Sequence, residues 1–260
     1  MNILDKIIAD KKQEVTLKKS VVSVRQLESS DLFERPSLSL SKSIQNGSGI
    51  IAEHKRRSPS KGTISDNFSV QDIIKGYENA GASGISVLTD MKYFGGCLDD
   101  LLLARATVKI PLLRKEFIID PYQIIEAKAF GADAILLIVA VLTPIEIKQF
   151  SELAQSLGLE ILLEVHNESE LDQSIIPQIN MIGVNNRNLK TFEVDLQTSI
   201  DLAAKIPAEY IKVSESGIGN IESIKHLQQF GYQGFLIGEN FMKTDNPGAS
   251  AQTFINQLQS

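Results

Sequence analysis

A (β/α)8 barrel preceded by a helical extension is the fold class the sequence predicts, on three observations. Eight short apolar runs recur near residues 50–54, 84–88, 110–114, 134–139, 160–165, 180–184, 210–214 and 234–237. The segments between them carry helical periodicity. Four junctions repeat one pattern of helix end, Gly and strand: Ala80-Gly81-Ala82, Phe130-Gly131-Ala132, Leu157-Gly158-Leu159 and Phe230-Gly231-Tyr232. Gly supplies the left-handed residue on which a helix stops and turns. A repeated helix–Gly–strand unit implies parallel strands joined by helices, and eight such units suggest a closed barrel. A doubly wound open sheet is the alternative, but no Gly-x-Gly-x-x-Gly follows the first strand, which weakens a dinucleotide-binding reading.

Residues 1–48 read as an N-terminal helical extension and 49–260 as the barrel, a single domain overall. Ile3, Leu4, Ile7 and Ile8 recur at helical spacing, which predicts short helices, and Asn46-Gly47-Ser48-Gly49 marks the loop into the first strand. A length of 260 residues suits one barrel, and 43% hydrophobic with 22% charged residues is ordinary for a globular chain. The net charge of −6 argues against nucleic acid as a partner. Cys97 is the single cysteine, so neither a disulfide framework nor a cysteine metal site is expected. The N-terminus lacks the apolar core of a signal peptide, and no run is long enough to span a bilayer. A cytoplasmic monomer with a small-molecule partner and no membrane contact is the expectation.

In such barrels the active site lies where the strands end. The first strand ends in Glu53-His54-Lys55, and alternation sends Glu53 and Lys55 to one face. Taken alone, that is also how a surface ion pair on an edge strand looks. The third strand places Leu113, Lys115 and Phe117 on one face; the fifth ends in Glu164. The sixth runs into Asn185 and Arg187, and the seventh into Glu215-Ser216-Gly217. Unpaired charges are too costly for an apolar core, and Lys115 and Glu164 sit within apolar runs. A converging catalytic rim is therefore expected rather than a solvated one. Gly217, and Gly238-Glu239 after the eighth strand, mark the usual phosphate site of barrels, with Ser58 adding a hydroxyl. His54 should face the helices, and His166 and His226 are read as unremarkable; no spacing suggests a metal site. Phe94 is read as a loop aromatic forming an apolar wall beside Phe117.

The run Glu53-His54-Lys55-Arg56-Arg57-Ser58-Pro59-Ser60-Lys61-Gly62 resembles the signature of the indole-3-glycerol phosphate synthase family. So do Lys92-Tyr93-Phe94-Gly95-Gly96, Leu113-Arg114-Lys115-Glu116-Phe117-Ile118, the run Gly183 to Phe192, and Glu215-Ser216-Gly217-Ile218. The resemblance spans nearly the whole chain. His54 and Cys97 depart from the family pattern without touching the expected chemistry. The single-barrel form is expected, not the form fused to phosphoribosylanthranilate isomerase. The resemblance implies ring closure, decarboxylation and dehydration of 1-(2-carboxyphenylamino)-1-deoxyribulose 5-phosphate, a carboxy-lyase step of tryptophan biosynthesis that needs no metal or redox cofactor. On that reading Lys115 is the general acid, and Glu164 and Glu53 are candidate bases, their individual steps left open. Lys55 binds the departing carboxylate and later protonates the hydroxyl. Asn185 and Glu215 orient hydroxyls and lysines, and Arg187 steers the anthranilate ring. Phe94, Phe117, Leu136 and Leu189 form its slot. Ser58, Ser216, Gly217, Gly238 and the Glu239 backbone hold the phosphate. The first loop, with Lys61 and Gly62, is of a kind that often gates barrel sites. The rivals are a sugar-phosphate isomerase barrel, which gives no reason for the first-strand signature, and a non-catalytic metabolite sensor, which does not need so many convergent charges.

Overall fold

Alternation along each strand divides this chain into an inner and an outer layer. The computed structural model describes residues 3–59, 62–63, 69–189 and 191–260. Among them, eight parallel strands form a closed barrel. They are β1 (Ile50–His54), β2 (Gly84–Leu88), β3 (Leu112–Lys115), β4 (Ala134–Ile138), β5 (Glu160–Val165), β6 (Met181–Asn185), β7 (Ile211–Glu215) and β8 (Tyr232–Ile237). Ala52 of β1 is in register with both Ile85 of β2 and Ile237 of β8, so the sheet has no edge. Ser60, Lys61 and Lys190, quoted above in two motifs, lie outside the described residues, and so does the gating part expected of Lys61.

The expected strands fall on these elements with shifted ends in the third, fourth, sixth, seventh and eighth; the fourth ends one residue earlier and the seventh is displaced by one. The third begins after Pro111, which has no N–H to give to a ladder, and runs on through Lys115. The sixth is displaced by one residue. The eighth starts two residues earlier, at Tyr232, because its register slips between Tyr232 and Gly234. A Cβ at Gly234 would lie 2.8 Å from Val213 Cγ2, so a side chain that would have signalled the strand is missing there.

Inward residues such as Ile51, Leu113, Leu136, Leu162 and Val213 fill the barrel, and outward ones such as Ile50, Ile85, Ile135, Leu163 and Phe235 pack under the helices. Three helices precede the barrel: α1 (Ile3–Val21), α2 (Val24–Glu28) and α3 (Leu40–Asn46). Those after it are α4 (Val70–Asn79), α5 (Met91–Phe94), α6 (Leu98–Thr107), α7 (Pro121–Ala129), α8 (Pro144–Ser156), α9 (Glu168–Asp172), α10 (Gln197–Ala203), α11 (Ile221–Gln228), α12 (Glu239–Met242) and α13 (Pro247–Gln259). Phe94 thus closes a short helix rather than standing in a loop. Gly81, Gly131, Gly158 and Gly231 end their helices with φ of 83°, 86°, 71° and 84°, the left-handed region expected of them.

The extension is clamped at both ends of the barrel. Leu40 and Ile44 of α3 join the inner core from the strands' N-terminal end, and a Cβ on Gly84 would fall 2.4 Å from Leu40 Cδ1. Glu160, opening β5, accepts from Ser39 Oγ (2.6 Å) and the Ser41 N–H (2.7 Å). At 19 residues α1 is not the short helix its first turns suggest, because charge anchors its middle. Lys11, 1% exposed, meets Glu14 at 2.7 Å, Asp90 at 2.8 Å and Glu116 at 3.1 Å. Glu116 also accepts from Thr89 Oγ1, and Arg114 pairs with Glu126 at 2.6 Å. Arg114 and Glu116 therefore face outward, flanking an inward Lys115.

Candidate active site

The inward parity of β1, β3, β5, β6 and β7 brings Glu53, Lys115, Glu164, Asn185 and Glu215 to one mouth, at the strands' C-terminal ends. A cavity of about 440 Å³ opens there, lined by all five together with Lys55 and Arg187. Lys55 Nζ pairs with Glu53 Oε1 at 2.7 Å. Lys115 Nζ donates to Glu215 Oε2 and lies 3.7 Å from Glu164 Oε2. Asn185 Nδ2 donates to Glu164 Oε1 at 3.2 Å, while its Oδ1 accepts from the Arg187 N–H at 3.0 Å.

The electrostatics follow from burial and count. Burial alone would raise the Glu53 carboxyl, but the Lys55 and Lys115 ammoniums outweigh it and hold the group below its ordinary range. Burial would discharge Lys115, yet Glu215, Glu164 and Glu53 surround it and keep it protonated well beyond the ordinary lysine range. Glu215, 1% exposed, is pushed up by burial and by its like-charged neighbours Glu164 and Glu53, against the pull of Lys115. An ammonium held among three carboxylates is a fixed positive charge, and a carboxylate pushed up in pKa binds a proton more readily.

Two glycines make room for the carboxylates. A Cβ on Gly183 would sit 2.3 Å from Glu215 Oε1, and one on Gly238 would sit 2.5 Å from Glu53 Oε1. Gly238 is thus a cut-out for Glu53 as well as part of the mouth. Gly217 has φ of 79° and Ser216, unusually for a residue with a side chain, 66°. Asn186 pins that turn by donating to the carbonyls of Glu215 (2.9 Å) and Ser216 (3.1 Å). Ser58, Ser216, Gly217, Gly238 and Glu239 all line the cavity on this side.

Part of the lining is apolar. The rings of Phe94 and Phe117 lie 6.1 Å apart, and Leu136 and Leu189 also line the cavity. Glu116 fixes Phe117 by accepting its N–H at 2.8 Å, and Asp90 caps α5 through the Tyr93 N–H at 2.7 Å. Arg187 Nη1 donates to the Phe192 carbonyl at 3.1 Å, which holds the guanidinium at the rim.

Every residue expected at the mouth is found there. His54 faces the helices, as alternation requires, and is 2% exposed. Several lining residues escaped the sequence reading. Ile3, Leu4 and Ile7 of α1 reach the cavity, as do Asn240 and Lys243. Lys243 lies one helical turn beyond Glu239, a spacing that could have found it. His166 is not the unremarkable residue expected. Its Nε2 lies 3.4 Å from Glu164 Oε1, and its place two residues after Glu164 puts both on one face, the same alternation that joins Glu53 to Lys55.

Fold and site define a (β/α)8 barrel enzyme acting on a small-molecule substrate. The family model described as indole-3-glycerol phosphate synthase matches residues 4–254. The indole-3-glycerol phosphate synthase of Bacteroides thetaiotaomicron is 48% identical over 259 residues, covering 99% of each chain. That of Koribacter versatilis is 43% identical over 255 residues, 97% of this chain and 98% of the other. A solved chain of the tryptophan synthase complex from Pyrococcus furiosus shares the fold alone, with a TM-score of 0.60 at 16% identity over 81% of this chain and 97% of that one. The chain belongs to the indole-3-glycerol phosphate synthase family, whose members are carboxy-lyases of tryptophan biosynthesis. No helix among the described residues is long and apolar enough to cross a membrane.

Proposed function

We propose that the mouth closes, decarboxylates and dehydrates 1-(2-carboxyphenylamino)-1-deoxyribulose 5-phosphate with Lys115 as the general acid. The observation that carries this reading is the Lys115 ammonium, buried and held by Glu215 and Glu164. When the ring carbon bearing the carboxylate attacks the ribulose carbonyl, negative charge grows on the carbonyl oxygen. A fixed ammonium stabilises that charge and delivers a proton to it. Loss of carbon dioxide leaves the bonding electron pair in the ring system. Expulsion of water then takes a proton to a carboxylate, Glu164 or Glu53, and a proton from Lys55 to the departing hydroxyl. Asn185 and Glu215 orient these groups, Lys55 binds the ring carboxylate before it departs, and Arg187 steers the anthranilate ring at the rim. Phe94, Phe117, Leu136 and Leu189 clasp the ring.

The phosphate is assigned to the turn Ser216-Gly217, to Gly238 and the Glu239 backbone, and to Ser58. Backbone N–H groups at such a turn and at a helix start suit an anion, and Lys243 adds charge. Residues 1–48 complete the site as an extension of the 49–260 barrel, since α1 contributes Ile3, Leu4 and Ile7 to the wall. The chain is taken to act as a cytoplasmic monomer without nucleic acid, in keeping with its net charge of −6.

Fluorescence tests the reading directly. The chain has no Trp and five Tyr, so a new indole stands out when the substrate is added. A rising indole signal that Lys115→Met lowers by several orders of magnitude is expected. No signal with substrate bound refutes the synthase reading, and near-normal turnover in Lys115→Met removes Lys115 from the mechanism.

A further inference from the structure

Three carboxylates meet at the mouth, and among the described residues Lys55 and Lys115 are the ammoniums that pair with them. Glu53 has Lys55 at 2.7 Å. Glu215 has Lys115, which stands off from Glu164 at 3.7 Å. The cation nearest the remaining oxygen of Glu164 is the imidazole of His166. Its Nε2 is buried, has no hydrogen-bond partner among the described residues, and lies 3.4 Å from Glu164 Oε1. Its Nδ1 lies 3.2 Å from Glu170 Oε2.

Glu170 is itself anchored. Its Oε2 also accepts from the His166 N–H at 2.8 Å, and its Oε1 accepts from Asn167 Nδ2 at 2.8 Å. A carboxylate behind one ring nitrogen orients the ring, fixes the proton on that side and stabilises the imidazolium. The second nitrogen is then aimed at Glu164.

We propose that His166, backed by Glu170, is a positioning residue whose imidazolium sets a positive charge beside Glu164 and holds that carboxylate in place to take a proton. The inference rests on Glu164 acting as a base in the reaction proposed above. The charges facing His166 agree with it. Glu164 on the strand His166 follows, Glu170 on α9 and Glu215 on β7 are all negative or able to be so, and Lys115, 3.7 Å from Glu164, is the ammonium of the same group. Burial disfavours the imidazolium, but Glu170, Glu164 and Glu215 together outweigh burial and raise His166 above its ordinary 6.5. The imidazolium is therefore favoured more than in a free histidine. It is lost as the pH rises through the raised midpoint.

Two measurements test this. The first is an NMR titration of the histidine rings of the resting protein. The chain has only three histidines, so replacing each in turn assigns the signals. His166 is expected to titrate above 6.5, and Glu164→Gln is expected to lower its midpoint. A midpoint at or below 6.5, or one unmoved by Glu164→Gln, overturns the proposal. The second is the single-turnover rate of indole formation against pH. The wild-type rate should fall as His166 deprotonates. In His166→Gln that limb should be absent and the rate at least about tenfold lower below it, a usual scale for a general-base defect, with KM within about twofold of wild type. Glu170→Gln, which keeps the imidazole, should move the limb to lower pH. A profile unchanged in both variants overturns the role of His166 while leaving the synthase reading intact. A wild type that makes no indole refutes the synthase reading, and the inference resting on Glu164 as a base falls with it.

Discussion

His54 is buried against the helices with neither ring nitrogen bonded to any described residue, and this makes a stability prediction. Burial, aided by the Arg56 guanidinium, pushes the imidazole down to about 4 from 6.5, against the pull of Asp100 and Glu53. The folded state therefore holds His54 neutral, while the unfolded chain protonates it near 6.5. A depressed group stabilises the fold fully above its unfolded midpoint, and that stability drains as the pH falls from 6.5 toward 4. The full effect is about 3 kcal/mol, since each pH unit between the midpoints carries about 1.4 kcal/mol. Integrated between about pH 7.5 and pH 5, it comes to about 2 kcal/mol. His54→Leu removes the titrating group and two unbonded buried nitrogens while keeping an apolar volume. Urea unfolding of both proteins at these two pH values isolates the group, because every other carboxylate and histidine is common to both. The variant should match or exceed wild type near neutrality. It should gain about 2 kcal/mol on wild type at about pH 5, or roughly 0.7 M in midpoint for a slope near 3 kcal/mol/M. A gap that stays constant within about 0.5 kcal/mol across that range refutes a neutral, buried His54.

Gly183→Ala puts a Cβ 2.3 Å from Glu215 Oε1 and 3.1 Å from Leu162 Cδ1; steady-state kinetics should show kcat down by about 100-fold as Glu215 is driven off Lys115, the scale expected for a misplaced catalytic group. An unchanged kcat in a folded variant would show that the Glu215 position is immaterial. Lys11→Met leaves Asp90 and Glu116 buried without the Lys11 ammonium, with Arg114 standing 3.8 Å from Glu116. It should cost about 3–5 kcal/mol, seen by calorimetry as a Tm lowered by roughly 6–20 °C for a chain of this size; a Tm within about 2 °C of wild type would contradict the clamp. Inorganic phosphate should compete with the substrate through the Ser216-Gly217 turn, and Gly217→Val, whose side chain meets Val194 and a backbone φ of 79°, should weaken that competition. Noncompetitive behaviour, or unaltered competition in the variant, would move the phosphate elsewhere.

What was legible in the sequence was what depends on near neighbours in the chain. Glu53 and Lys55 share a face because strands alternate, and Gly81, Gly131, Gly158 and Gly231 mark helix ends because left-handed caps need them. Contacts between distant segments were not legible. Nothing near Lys11 announces Asp90 or Glu116, and a lysine in the middle of a helix reads as solvent-facing although this one is 1% exposed. The full length of α1 was hidden for the same reason, since the ion cluster at Lys11 interrupts its buried face between Ile7 and Val15. His166 was legible by alternation with Glu164, but its value lies in the approach of Glu170 from the following helix. Gly183 in an apolar strand carries no signal of its own; only closure of the barrel sets it against Glu215.

Closure also explains why so much charge can sit at one mouth. In a closed barrel the inward positions of neighbouring strands crowd one another, and a Glu cannot enter beside a large residue. Asn185 of β6 is in register with Glu215 of β7, and Gly183, one inward step below Asn185, vacates the space the Glu215 carboxylate fills. Gly238, just beyond β8, does the same for Glu53 of β1. The carboxylates therefore lie within the barrel walls rather than splayed over the rim, where water would screen them. In that position their charges are felt at Lys115, which stays protonated although buried. Two absent side chains are thus as much a part of the acid–base arrangement as the charged ones, and filling either space should lower turnover before it unfolds the barrel.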